Sequence, residues 1–215
     1  MDADEALWNR IADLLPEPAR EEVKDCWLIG EQECGLDLLV GGLLARQIPI
    51  GGADRAQIAV LAEQWGGREQ LTPGILRCPD DGAPAPVRLL DAEGFGGAAG
   101  DGQGAGGGGN DGGGDGTAGD GTAGGDGTVG GDGVEVVTGW REPELADLLL
   151  VPWIECTRCG RVLLRAHSWE PWDDLSYLAE YYVISSSDYD TALRILPYDA
   201  AGEAFAELLH GCPEY

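Results

Sequence analysis

The sequence predicts an α+β protein in which a small N-terminal helical bundle precedes a mixed part with a β-hairpin. Up to residue 66, apolar residues recur every three or four positions, which is typical of amphipathic helices. After Leu71, short β-branched and apolar runs are separated by turn residues. A third observation is a tract from Gly94 to Gly133 that contains 22 of the 36 glycines. The predicted organisation is a bundle over 1–70, an α+β domain over 71–93 plus 134–215, and a disordered Gly/Asp-rich insertion over 94–133.

The first two predicted helices have clear start and stop signals. Leu7, Ile11 and Leu14 share one face of the first helix, with Asp4 as its N-cap and Pro16 as its stop. The second begins at Pro18 and ends at Gly30, because proline suits a first turn and glycine suits a C-cap.

The third and fourth helices are predicted from the same periodicity. The third carries Leu36, Leu39, Val40, Leu43 and Leu44 on one face. Its three glycines (Gly35, Gly41 and Gly42) weaken it, each by about 1 kcal/mol relative to alanine. The fourth helix is expected to be capped by Asp54 and to end at Gly66-Gly67.

The remaining segments predict strands and short helices in alternation. The strand candidates are Gly74–Cys78, Val87–Asp91, Val134–Thr138, Trp153–Cys156, Arg161–His167 and Leu193–Leu196. The helix candidates are Glu142–Leu150, Asp174–Ile184 and Ala200–Leu209, the last capped by Asp199. We expect Val87–Asp91 to pair with Val134–Thr138 as a hairpin whose loop is the glycine tract, since closing a longer loop costs little additional entropy. The tract itself is read as a flexible acidic linker.

The chain is strongly acidic, with a formal net charge of −26 at pH 7, and its acids occur in both predicted folded parts. Nucleic acids and anionic membranes would repel such a surface, so they are excluded as partners and a basic protein is favoured. The start of the chain lacks the pattern of a signal peptide, and no apolar run is long enough to cross a bilayer. We therefore expect a cytoplasmic protein whose six cysteines are thiols or metal ligands.

One cysteine motif points to a structural zinc ion. Cys156-Thr157-Arg158-Cys159-Gly160 lies between two predicted strands, where a turn can aim both sulfur atoms at one point. Zinc takes four ligands, and Cys78 and Cys212 are the further thiols in this half, with His167 as a substitute. The alternative is that these cysteines are metal-free thiols in the core.

The residues favour no catalytic activity. His167 and His210 are the only histidines, and no motif places either beside a nucleophile and a carboxylate. The glycine tract has no Gly-Lys-Ser/Thr sequence that would hold a phosphate. We therefore expect a binding protein and not an enzyme.

Acidic and aromatic residues predict where a basic partner would bind. Carboxylates attract and pair with Arg and Lys, while buried Trp and Tyr side chains anchor an interface. The candidate partner-binding residues are Glu31, Glu33, Trp172, Asp173, Asp174, Asp188 and Asp190.

Residues 7–66 resemble the short MafI-type immunity proteins, which neutralise secreted polymorphic toxins. The motifs that carry the resemblance are Leu14-Leu15-Pro16, Trp27-Leu28-Ile29-Gly30-Glu31, Leu36-Asp37-Leu38-Leu39, Ile48-Pro49-Ile50 and Ile58-Ala59-Val60-Leu61-Ala62-Glu63. The resemblance implies a stoichiometric inhibitor whose partner is a toxin domain, often a nuclease. We expect an acidic immunity protein or antitoxin that occludes a basic toxin domain. The alternative is a zinc-binding accessory or regulatory module without catalysis.

Overall fold

The structure, a computed structural model, describes residues 3–90, 140–171 and 174–212 of the chain. The helices in this part are α1 (Ala3–Ala12), α2 (Ala19–Ile29), α3 (Gln32–Ala45), α4 (Gly52–Gln64), α5 (Arg68–Arg77) and α6 (Ala201–His210). Its strands are β1 (Val87–Leu89), β2 (Leu149–Cys156), β3 (Val162–His167), β4 (Trp169–Glu170), β5 (Asp174–Leu175), β6 (Tyr181–Ser185) and β7 (Ala192–Pro197). The predicted α+β class is confirmed. The predicted insertion over 94–133 and the predicted strand Val134–Thr138 lie outside the described residues.

The four predicted N-terminal helices are present as α1 to α4, although the predicted N-caps of α1 and α4 differ from the structure. The prediction for α2 is correct, because Pro18 is its N-cap and Gly30 its left-handed C-cap. Asp4 lies inside the first turn of α1 and Asp54 inside that of α4, where acidic side chains still favour the helix dipole. Asp54 forms an ion pair with Arg10 at 2.5 Å, so it links α4 to α1.

Packing against α1 explains why α3 has a glycine at position 35, one of the three that were expected to weaken it. A Cβ atom at this position would lie 2.5 Å from the Trp8 ring, far inside van der Waals contact. Glycine therefore lets α3 approach the fully buried Trp8 of α1, whose indole N–H donates a hydrogen bond to the Val23 carbonyl at 2.8 Å. Gly35 lowers the helix propensity of α3, but it allows α1, α2 and α3 to pack closely.

The predicted strand Gly74–Cys78 is wrong, because its first four residues complete α5 and Cys78 is the C-cap of that helix. Leu71 and Ile75 lie one turn apart and are buried, which gives this segment a helical apolar face despite Pro73. The buried Arg55 of α4 binds the end of α5 by donating hydrogen bonds to the carbonyls of Ile75 at 2.5 Å and Cys78 at 2.9 Å. These contacts satisfy carbonyls that a helix end leaves unpaired.

The main sheet has five antiparallel strands in the order β1-β2-β3-β6-β7, and β4 and β5 form a separate short ladder. The predicted strands Trp153–Cys156 and Arg161–His167 are confirmed as the hairpin β2–β3, and Leu193–Leu196 is confirmed within β7. β1 matches the predicted strand Val87–Asp91, and its described partner is β2, with Leu89 opposite Ile154.

Two predicted helices in the second half are wrong. Of Glu142–Leu150, only a short 3-10 turn over Pro143–Leu145 forms, and β2 already begins at Leu149. Asp174–Ile184 contains β5, a connection and β6, because Tyr182, Val183 and Ile184 pair with β3 and are buried on both faces of the sheet. Ala200–Leu209 is confirmed as α6, but its N-cap is Ala200 and no side chain caps it.

One large hydrophobic core joins the helices to the sheet. Side chains of β3 alternate between the two faces, so that Leu163 points to the core shared with the helices and Leu164 points to a second cluster around Trp140. The large core includes Trp8 of α1 and Phe205 of α6. Arg165 and His167 follow Leu163 on the helix-facing side of the sheet, and this places two polar side chains against α4 and α5.

Candidate metal centre and partner-binding residues

The Cys-x-x-Cys-Gly motif forms the tight turn between β2 and β3. The Cys156 N–H donates to the Arg161 carbonyl at 2.8 Å, and the Gly160 N–H donates to the Cys156 carbonyl at 2.9 Å. Gly160 has φ +71°, a backbone conformation that a residue with a side chain rarely adopts. Thr157 ties this turn to the segment before β1, since its hydroxyl donates to the Ala85 carbonyl at 2.6 Å.

Cys212 completes a group of three thiols. It follows α6, and the end of α6 is held at the turn because the Arg161 guanidinium donates to the Gly211 carbonyl. The ligand atoms of Cys156, Cys159 and Cys212 all lie within 4.8 Å of one another. Tetrahedral zinc with Zn–S bonds of about 2.3 Å requires sulfur–sulfur distances of about 3.8 Å, which small side-chain rotations would reach from here. Three thiolates are ligands that zinc prefers, so this donor set fits the ion.

The surroundings change the acidity of two of these thiols. Burial raises the pKa of Cys156, but hydrogen bonds from the backbone N–H groups of Cys159 and Arg158 and from the other two thiols outweigh it, so the pKa is lowered. For Cys212, desolvation and the neighbouring thiols raise the pKa to about 11. The group therefore favours one thiolate at the first cysteine of the motif.

The structure does not bring Cys78 or His167 to this group. The buried Cys78 thiol instead donates to the Gly74 carbonyl at 3.5 Å, at the end of α5. His167 lies at the far end of β3, about 17 Å from the strand's first residue at 3.3 Å per residue. Among the described residues, the group contains three ligands, and no His, Asp or Glu belongs to it.

A buried polar network occupies the far end of β3. The carboxylate of Glu63 in α4 accepts hydrogen bonds from the Arg165 guanidinium at 3.3 Å and from the Tyr182 hydroxyl at 3.2 Å, and it lies 3.5 Å from the Arg68 guanidinium. Arg165 also lies over the Trp153 ring, 5.3 Å from its centroid, in a cation–π contact. Burial lowers the pKa of Arg165 to about 10, against the raising effect of Glu63, so the side chain stays charged.

His167 belongs to this network and not to the thiols. Its Nδ1 lies 2.8 Å from the Ser176 carbonyl and its Nε2 lies 3.4 Å from Nη1 of Arg68. A carbonyl only accepts and a guanidinium only donates, so the neutral tautomer with hydrogen on Nδ1 satisfies both contacts. Burial, followed by the charges of Arg165 and Arg68, lowers the pKa of His167 to about 3. Sequence reasoning missed this network, because its members are scattered over more than 100 residues and no motif links them.

The candidate partner-binding residues that the structure describes lie in separate parts of the fold. Glu31 and Glu33 are exposed at the start of α3, and Asp174 lies in β5. Asp188 and Asp190 are exposed in the turn between β6 and β7, at the end of the sheet that also holds the thiol group. Trp172 and Asp173 lie outside the described residues.

Asp188 also has a local structural role. Its carboxylate accepts hydrogen bonds from the Ser186 hydroxyl at 2.5 Å and from the Asp190 N–H at 3.3 Å, which closes the turn. These bonds, that from Ser186 first, lower the pKa of Asp188.

In the described parts of the chain, no helix combines the length and apolar character needed to span a bilayer. Comparisons of the chain with protein-family models, curated proteins and solved structures found no match.

Proposed function

We propose that this chain is a cytosolic immunity protein or antitoxin that acts without catalysis, by binding and occluding a basic toxin domain. The observation that carries the proposal is the net charge of −26, which is large for 215 residues. A nuclease domain is the best example of a matching partner, because a site that binds phosphate is itself basic. The protein would compete with the nucleic acid for that site.

The resemblance to MafI-type proteins supports the same proposal. The residues that carry it form consecutive helices: α2 ends before Gly30-Glu31, α3 follows at once, and Ile48-Pro49-Ile50 links α3 to α4. The six cysteines, none of which is in a disulfide, support a reducing compartment such as the cytosol. Electrostatic attraction would accelerate association and would weaken as salt screens the charges beyond about 8 Å at physiological ionic strength.

Co-expression tests the immunity proposal directly. The probe is the product of each gene beside this one, induced in cells with or without this chain. We expect growth only when the chain is present, and a one-to-one complex of the purified proteins whose association rate falls steeply with salt. If the chain neither protects the cells nor forms a complex at low salt, the proposal is overturned.

We further propose that Cys156, Cys159 and Cys212 bind one structural zinc ion. The observation that carries this proposal is the convergence of three thiols from two separate segments within 4.8 Å. The ion would connect the β2–β3 turn to the end of α6, so that it would cross-link segments more than 50 residues apart. Bound zinc without a toxin partner would favour the second candidate function, a zinc-binding accessory or regulatory module.

Metal analysis of tag-free protein purified under reducing conditions tests the zinc proposal. We expect about one zinc ion per chain in the wild type and less than about 0.1 in Cys159→Ser, because structural sites hold zinc tightly. Cys34→Ser is the matched control, since Cys34 is exposed and outside the group. A wild-type protein with less than about 0.1 zinc per chain would show that these cysteines are core thiols.

A further inference from the structure

We propose that an exposed apolar surface formed by Leu28, Ile29, Trp65, Tyr177 and Leu178 is the docking site for the basic toxin domain. This inference rests on the proposed function and adds the face of the molecule that makes the contact. The five residues come from the end of α2, the end of α4 and the connection between β5 and β6. They are called the docking surface below.

Two direct contacts join these three segments. The ring of Trp65 meets that of the half-buried Trp27 edge-on, with centroids 6.3 Å apart, and Trp27 immediately precedes Leu28 in α2. The second contact is made by Gly66, the residue after Trp65, whose carbonyl accepts a hydrogen bond from the Tyr177 hydroxyl. Arg68 reinforces this junction by donating to the Tyr177 carbonyl at 2.9 Å. The docking surface therefore continues from the helical part onto the sheet part.

The side chains of the docking surface are unusually open to solvent. Leu28 is 74% exposed, Ile29 71% and Leu178 54%, whereas Trp65 and Tyr177 are 41% and 51% exposed. Single exposed apolar residues are ordinary, but a cluster of aliphatic and aromatic side chains is typical of a protein–protein interface. Each of these side chains would lose water on contact with a partner, which is the main source of binding energy at an interface centre.

Charge identifies the kind of partner. Five exposed carboxylates lie within four residues of the docking surface along the chain: Asp25, Glu31, Glu33, Glu69 and Glu180. The neighbouring cations are already in ion pairs, Lys24 with Asp13 at 2.8 Å and Arg68 with Glu63 at 3.5 Å. The rim therefore attracts Lys and Arg side chains. A second copy of this chain would bring like charges together, so a basic domain with an apolar centre is the occupant that fits.

The position of the docking surface divides the predicted partner-binding residues into two groups. Glu31 and Glu33 directly follow the end of α2, so these two acids belong with the docking surface. Asp188 and Asp190 lie beyond the opposite end of β6, a five-residue strand about 13 Å long, where Asp188 closes its own turn. We assign them no contact with the toxin domain.

The test uses the toxin domain that co-expression identifies among the neighbouring genes, in a catalytically inactive form, and measures its binding to the full chain by surface plasmon resonance. Leu28→Gln and Leu178→Gln remove one apolar side chain each from two different segments and leave no known contact unmade. We expect each to raise the dissociation rate about tenfold and the double variant about a hundredfold, with a change in association rate below about threefold. Leu193→Thr is the matched control, because Leu193 is 42% exposed on the edge strand at the opposite end of the sheet, and should change neither rate more than about twofold.

A second pair of variants tests the rim. Glu31→Gln with Glu180→Gln should lower the association rate at low salt several-fold and flatten its salt dependence, whereas Asp190→Asn should not. Circular dichroism and melting curves confirm that each variant is folded. If the wild type binds and protects but the double variant of Leu28→Gln and Leu178→Gln dissociates as slowly as the wild type, the docking surface is wrong and the immunity proposal stands. If the wild type neither binds nor protects, the proposed function itself is overturned.

Discussion

The two ends of β3 carry polar clusters of opposite kinds. At the Val162 end, three thiols converge beside the turn, and no carboxylate or imidazole joins them among the described residues. At the His167 end, Glu63, Arg68, Arg165, Tyr182 and His167 bind one another and the backbone. One cluster needs an ion from outside to gain its full bonding. The other pairs its charges within the chain, although the buried Arg165 Nε has no hydrogen-bond partner among the described residues.

The difference teaches how buried polar groups support this fold. A buried charge is tolerated only when it is paired, and the loss of one partner leaves the other charge uncompensated. Glu63 is 5% exposed and faces two guanidinium groups, so the network depends on a single carboxylate. Thiols, by contrast, are accepted in a core as weakly polar groups, so the thiol end should survive without metal.

The largest expected effect is the loss of the central carboxylate. Glu63→Gln keeps the side-chain size but leaves the buried Arg165 without the carboxylate that it faces, while Arg68 keeps only the exposed Glu69. We expect the change to lower the free energy of unfolding by about 3–5 kcal/mol. Urea denaturation at pH 7 measures this change. Glu69→Gln is the control, because Glu69 is exposed and lies 3.6 Å from the same arginine, and should cost less than about 0.5 kcal/mol. A loss below about 1 kcal/mol in Glu63→Gln would contradict the importance of the network.

Metal removal should have the next largest effect. Zinc stabilises the folded chain by mass action, so free zinc at one hundred times its dissociation constant adds about 2.7 kcal/mol. We expect a chelator to lower the melting temperature of the wild type and to leave Cys159→Ser unchanged. Equal chelator responses in the wild type and in Cys159→Ser would show that the ion is not bound by this group.

The smallest expected effect is a pH dependence at the network end. His167 has a pKa of about 3 when folded and about 6.5 when unfolded, so acid adds a proton to the unfolded chain first. The stability that His167 contributes is complete above pH 6.5 and declines as the pH falls towards 3. Between pH 7 and pH 5 the loss is about 2 kcal/mol.

The measurement compares the unfolding free energies of metal-free wild type and metal-free His167→Gln at both pH values, since acid also releases zinc from thiolates. The difference between the two proteins should shrink by about 2 kcal/mol as the pH falls from 7 to 5. His210→Gln is the control for removing a histidine, because His210 is exposed at the end of α6 and the substitution should cost less than about 0.5 kcal/mol at pH 7. If the difference in unfolding free energy between wild type and His167→Gln is the same at both pH values, the lowered pKa of His167 is contradicted.

The sequence predicted the parts of the fold whose signals are local. Leu7 and Ile11 lie one turn apart in α1, Gly30 ends α2, and Cys156 to Gly160 forms a turn between two strands, as expected. Leu14 lies beyond α1, which already ends at Ala12. The predicted helix Asp174–Ile184 is wrong at Tyr182 and Ile184, which lie in β6, because a short apolar run fits both periods until its partner strand is known. Ile75 was misread as part of a strand, because its place in α5 depends on packing against α3 and α4 and on the hydrogen bonds from Arg55.

By itself the sequence determined the α+β class, the acidic surface and the cysteine turn, since these depend on composition and on residues a few positions apart. Only the tertiary structure decided that Cys212, and not Cys78 or His167, joins the turn. It also decided that His167 binds Arg68 and Ser176, and that Tyr177 meets the end of α4 at Gly66. The physical reason is that such contacts join residues up to about 110 positions apart, and their proximity follows from how the sheet packs on the helices.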